Sequence, residues 1–208
     1  MIRFAVAAAL FLALCPQSAN AQNERLDRNR ERLLELTAED FADNVRIDDD
    51  DLDLFATLDT SEGFRSRGGF FSRERTDNFL RAVVNKQTGE ATFVLYQTIT
   101  YTAQRNGWRR YARANFQSPE GLSTAELDIV TREVVSCVSA DLCVFREDFV
   151  LPLNEELVEW IARREQDGFW RFKFTGTGGE DWEDLLASVE AAGLLQRVGT
   201  YRRVHGLQ

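Results

Sequence analysis

The chain has 208 residues, 44% of them apolar and 28% charged, enough for one ordinary folded domain with a real core and unlike a disordered tail. Asp and Glu number 34 against 25 Lys and Arg, a net charge of −9, so the chain lacks the basic footprint of a nucleic-acid binder. These counts nominate no activity by themselves.

Met1–Ala21 joins a positive charge at Arg3, an apolar stretch from Ala5 to Leu14, the breaker Pro16, and Ala19-Asn20-Ala21, an A-x-A cleavage pattern. These are the parts of a secretory signal peptide. The stretch is well short of the roughly 18 to 20 apolar residues that cross a bilayer, and no later segment approaches that length, so the mature chain is expected to carry no transmembrane segment. Lipidation of Cys15 is the competing reading, opposed by the bulky Leu14 before it and Pro16 after it. Loss of residues 1–21 would leave a periplasmic or secreted protein.

Residues 22–47 are dense in charge and in helix formers, and Thr37 with Asp40 has the spacing of a capping box. They read as a charged, partly helical segment, packed on the body or leaving it as an arm. Asp48–Asp51 and Asp53 have the composition of a calcium site without the glycine, glutamate and helix pair of an EF-hand. Neighbouring aspartates in extended chain point to opposite sides, so the run reads as a solvated linker opening a single domain over 48–204.

From Leu52 the apolar period becomes two. Phe93, Leu95, Ile99 and Tyr101 alternate with Thr92, Val94, Tyr96, Thr98 and Thr100; Trp108, Ala112, Ala114 and Phe116 alternate with Arg109, Tyr111 and Arg113. Lys86–Gly89, the Asn106-Gly107 hairpin signal and Ser118–Gly121 separate the strands. Cleavage after Ala21 leaves Cys137 and Cys143, flanked by Val134 and Val135 before and by Val144 and Phe145 after, as in a hairpin. Facing each other across antiparallel strands in an oxidising compartment, the two thiols are expected to form a disulfide; a redox dithiol or half a metal site would want a C-x-x-C, or histidines beyond His205. Asn154 caps a helix through Ile161 that Gly168 ends, Trp170–Thr175 returns to strand, and Gly176–Gly179 leads into a helical region, Asp181–Gln196, that Gly193 threatens to split. The fold class is α+β: a twisted antiparallel meander of about six to eight strands, open or curled toward a half-barrel, packed by C-terminal helices.

Chemistry-bearing patterns are few. Gly176-Thr177-Gly178-Gly179 resembles a phosphate loop in composition, but Glu180 and Asp181 follow instead of Lys-Ser or Lys-Thr, so the turn reads as a helix cap. Arg65, Arg67, Arg73 and Arg75 bracket Gly68-Gly69-Phe70-Phe71, while Arg109, Tyr111 and Arg113 share one face of a strand and are the binding candidates, since guanidinium beside aromatic rings recognises phosphate, sulfate or carboxylate. Arg outnumbers Lys 23 to 2 along the whole chain, and pairing with Glu126, Asp128, Glu147 or Asp148 accounts for the same residues structurally. No pattern nominates a catalytic residue, a metal or a cofactor. The expectation is an exported, non-catalytic binding or envelope-interaction module whose partner is an anionic envelope ligand or another envelope protein, and not nucleic acid. The alternatives are a metal-independent hydrolase using two carboxylates and a purely structural envelope component.

Overall fold

The computed structural model describes residues 29–61, 63–67, 74–164, 168–178 and 180–207. The expected signal peptide, Cys15, Arg73 and the Gly68–Phe71 stretch lie outside the described residues. Helical residues 29–35 (α1) are followed by α2, Ala38–Asp43. Thr37 and Asp40 form the expected capping box, each side chain accepting the other's backbone N–H at 3.1 and 2.8 Å. Both helices lie on the body: Leu33 and Phe41 are buried with Phe64, Phe169 and Ala187.

The strands are β1 (Arg46–Asp48), β2 (Phe55–Asp59), β3 (Arg65–Arg67), β4 (Glu74–Asn85), β5 (Ala91–Gln104), β6 (Tyr111–Ser118), β7 (Gly121–Glu126), β8 (Asp128–Cys137), β9 (Leu142–Leu153), β10 (Phe169–Gly176) and β11 (Trp182–Ala187). Between β9 and β10 comes α3 (Glu155–Ala162), and α4 (Ser188–Val204) follows β11. The α+β class, the antiparallel pairing and the C-terminal helices are as expected, with no closure into a barrel. The strands divide between two sheets. The first runs β1-β2-β4-β5-β9-β8, with β3 also on β4; the second runs β11-β10-β6-β7.

The reason lies at residues 105–110. An Asn-Gly pair between alternating runs predicts that β5 and β6 pair as a hairpin, yet β5 pairs with β4 and β9 while β6 pairs with β7 and β10. Arg110 takes a left-handed conformation (φ 52°), and the chain leaves the first sheet for the second. It returns with only Leu127 between β7 and β8, so residues 121–137 form one nearly continuous ribbon that edges both sheets. The inner faces meet through aromatic rings: Phe149 of β9 lies 5.6 Å from Tyr111 and 4.8 Å from Phe174, centroid to centroid.

Two further expectations give way. Residues 182–187 are strand, not helix, so Gly176 ends β10, Thr177 and Gly178 begin its connection to β11, and the turn caps no helix. Trp182, Leu185, Leu186 and Val189 fall at helical spacing, and the inward residue between Trp182 and Leu186 is a buried acid, Asp184, which hides the period of two. Nor does Gly193 split α4, which runs unbroken over 17 residues. A Cβ at Gly193 would lie 2.4 Å from the Phe41 Cβ and 2.6 Å from the Ala38 carbonyl oxygen, so the missing side chain is what lets α2 cross α4 closely. Cys137 and Cys143 are register partners and disulfide-bonded, as expected.

Candidate functional site

Arg109 and Tyr111, expected to display themselves on a strand face, are instead buried at the junction of the two sheets. Gly176 and Gly178 permit this. A Cβ on either would lie about 2 Å from the carbonyl oxygens of Arg109 or Trp108, and the Gly178 N–H donates to the Arg109 carbonyl at 2.8 Å. The Arg109 side chain lies over the Tyr101 ring, 4.4 Å from its centroid, donates to the Tyr111 hydroxyl at 3.2 Å, and forms ion pairs with Glu74 and Glu180. Burial works against its charge, and Glu74 and Tyr111 more than restore it, so its pKa is raised. Burial likewise pushes up the Tyr101 and Tyr111 hydroxyls.

Glu147 of β9 is the hub beneath them. Fully buried, it accepts from the Tyr101 hydroxyl (2.7 Å), the Arg110 and Tyr111 N–H groups (3.0 and 3.2 Å) and Arg132 Nε (2.9 Å), while Arg132 also donates to the Tyr111 carbonyl at 2.7 Å. A carboxylate so surrounded fixes where β6 departs from the first sheet. An external anion would have to displace Glu74 and Glu180 from Arg109.

Arg113 is not with them. A bulge at Ala112, whose carbonyl accepts from the Leu127 N–H at 2.9 Å, makes Tyr111 and Arg113 partners of successive residues on β10. Side-chain parity therefore reverses: Tyr111, Ala114 and Phe116 face the core, and Arg113 is exposed opposite Glu126. The expectation that Arg109, Tyr111 and Arg113 share a face is thereby corrected. Asp49 is held by Lys86 at 2.9 Å and by the Tyr201 hydroxyl at 2.9 Å, and among the described residues no group of three His, Cys, Asp or Glu is placed to hold a metal.

A second polar layer, unnoticed in the sequence, lies between the first sheet, β11 and α4. Asp184 accepts from Thr76 Oγ1 (2.5 Å), Gln97 Nε2 (3.1 Å), Trp182 Nε1 (3.1 Å) and the Leu185 N–H (2.9 Å); burial still pushes its carboxyl up to about 6. Glu190, in the first turn of α4, accepts from Thr60 Oγ1 at 2.5 Å and the Leu80 N–H at 3.3 Å, and burial pushes it up to about 8. Its Oε2 is unpartnered, as are Ser188 Oγ, Asn78 Oδ1 and Gln97 Oε1. Among the described residues these are the acids of raised pKa, but with relative exposures of 4% and 0% neither meets solvent as a hydrolytic pair must. The acid at an inner position of an otherwise apolar alternation, as in Cys143-Phe145-Glu147-Phe149, was the signal by which such groups could have been found.

Among the described residues, what the fold leaves open is its edge. β8 ends the first sheet, and apart from Thr131 all its residues are exposed. Ile129, Val130, Val134 and Val135 are each about half exposed, Val138 beyond them more so, and Leu122 of β7 is 88% exposed. Ile129 and Val134 pair with Phe149 and Phe145 of β9, so these two side chains, with Arg132 between them, continue the core face outward past the last covered strand.

No family model, no curated protein and no solved structure matches this chain. Among the described residues no helix is long and apolar enough to cross a membrane, and the Cys137–Cys143 bond is compatible with an oxidising, exported location.

Proposed function

We propose that the protein is an exported, non-catalytic binding module of the cell envelope, cleaved near Ala21, that engages its partner through the β8 edge and not through Arg109 and Tyr111. The observation that carries this reading is the group of exposed apolar side chains on β8, because large apolar side chains gathered on one pinned strand mark an interaction surface where scattered ones do not. Export draws support from the leader pattern of residues 1–21 and from the disulfide at the end of the same strand. Hydrolysis by paired carboxylates is not favoured, since Asp184 and Glu190 are enclosed.

The test is to express the full chain with its own N-terminus in a bacterial host that has a periplasm, with a photo-crosslinking amino acid at Val130 or, as a control, at the exposed outer-face Arg171. The expected result is a mature species beginning at Gln22, with a discrete adduct from position 130 that position 171 does not give. Retention of residues 1–21 on cytoplasmic protein overturns export, and identical adduct patterns at the two positions overturn binding through β8.

A further inference from the structure

We infer that the β7–β8 ribbon accepts an extended segment of another protein, apolar in its middle and basic at its flanks, as an added strand on the first sheet; this rests on the reading of the chain as a binding module. An edge strand presents unpaired N–H and C=O groups, which give affinity to any extended chain, and its side chains set which chain is taken. β8 is well prepared for that role. The disulfide pins its C-terminal end to β9, and Arg132 ties its middle to Glu147 and the Tyr111 carbonyl, so little order remains to be imposed on binding. Ile129 and Val134, on the core side of the sheet, would be covered by apolar side chains of an incoming strand, much as β9 covers the residues of β5.

Charge and register select the occupant. The ribbon carries Glu126, Asp128 and Glu133, with Asp141 at the adjoining hairpin, against Arg132, whose guanidinium is already engaged by Glu147; of these acids Glu133 also meets Arg146 of β9 at 3.7 Å. A second copy of the chain would set these acids against themselves, whereas basic flanks complement them. Register shifts leave Val130 and Val135 as extra residues on β8, so the regular pairing stretch between the bulges is Thr131–Val134. That limits the partner to a short strand and opposes open-ended self-stacking of edges.

The experiment is amide hydrogen exchange on the oxidised mature protein with two synthetic peptides sharing one alternating Val/Thr centre, one flanked by lysines and the other by glutamates. With the lysine peptide at about ten times its Kd, amides within residues 128–137 should exchange about tenfold more slowly, while those of β11 are unchanged. The glutamate peptide should do this only in Asp128→Lys/Glu133→Lys, two exposed substitutions whose folding is checked by the same exchange pattern elsewhere. Equal protection by both peptides, or by neither, overturns the inference. So does protection of 128–137 that rises with protein concentration alone, which would make the occupant a second copy. A discrete adduct at Val130 with no peptide protection would leave the binding module standing and remove only strand addition.

Discussion

Glu190 is the residue whose environment most contradicts its chemistry. It faces Thr60 and the Leu80 N–H, with Asp77 opposing its charge and Arg65 favouring it, and burial outweighs all of these to hold the carboxyl up to about 8. The folded state therefore keeps a proton that the unfolded chain, titrating near 4.5, releases. The stability this provides is complete below about 4.5 and is lost as pH rises through about 8, at up to about 1.4 kcal/mol per pH unit across that window. Asp184 behaves alike between 3.8 and about 6. Glu190→Gln should accordingly match the parent in urea near pH 5 and exceed it increasingly toward about pH 9. Parallel stability curves for the two proteins would show that Glu190 is ionised in the fold. Arg109 makes the complementary case: Arg109→Ala takes from the buried Tyr111 hydroxyl its guanidinium donor and removes the ion pairs to Glu74 and Glu180, and should cost about 2 to 3 kcal/mol, whereas exposed Arg113→Ala should stay within about 0.5 kcal/mol. Urea midpoints of the two single variants decide this, and equal losses would mean that the junction is not where Arg109 acts.

At the level of elements, what could be read from the sequence was what local chemistry dictates. The Thr37–Asp40 box, the Asn154 cap accepting from the Leu157 N–H, the Lys86–Gly89 turn and the cross-strand cysteines all rest on a few neighbouring residues, and all are found where expected. What could not be read depended on partners distant in sequence. The Asn106-Gly107 signal is a hairpin signal in isolation, and the groups that hold the diverted chain, the Glu147 carboxylate and the close-packed Gly176 and Gly178, lie some forty to seventy residues on. Asp184 obscured β11 because an acid was assumed to face water, and the Ala112 bulge reversed the side of the strand on which Arg113 lies. The same distinction between local and distant partners ranks the consequences of substitution. Reducing the Cys137–Cys143 bond opens a loop of few residues and should cost only about 2 kcal/mol, loosening the hairpin while β4 and β5 stay protected. Gly193→Ala adds one methyl where α2 touches α4 and should cost about 1 to 3 kcal/mol despite improving helix propensity. Calorimetry of the parent and of Gly193→Ala, each oxidised and reduced, separates these; a stabilised Gly193→Ala would mean that α2 does not hold its close crossing in solution.

For the whole molecule, one arrangement connects its parts. Two sheets share a single free ribbon because the chain that crosses between them at Arg110 must cross back, and it does so as one strand with Leu127 at the seam. Such a ribbon is the natural site for association with other chains and equally the natural site for unwanted aggregation. Two bulges and the acids Glu126, Asp128 and Glu133 guard it, on a chain whose net charge of −9 already opposes self-contact. If the acids are part of that protection, Glu126→Gln/Asp128→Asn/Glu133→Gln should leave thermal stability nearly unchanged while producing concentration-dependent association in sedimentation velocity. Salt should discriminate the cause. In the parent, raising ionic strength from about 0.05 to 0.5 M shortens the Debye length from about 14 to 4 Å and should promote the same association, while the triple variant, already stripped of those charges, should respond little. A triple variant that remains monomeric at high concentration would assign the protection to the bulges alone, and the ribbon's acids would then serve only to choose what binds.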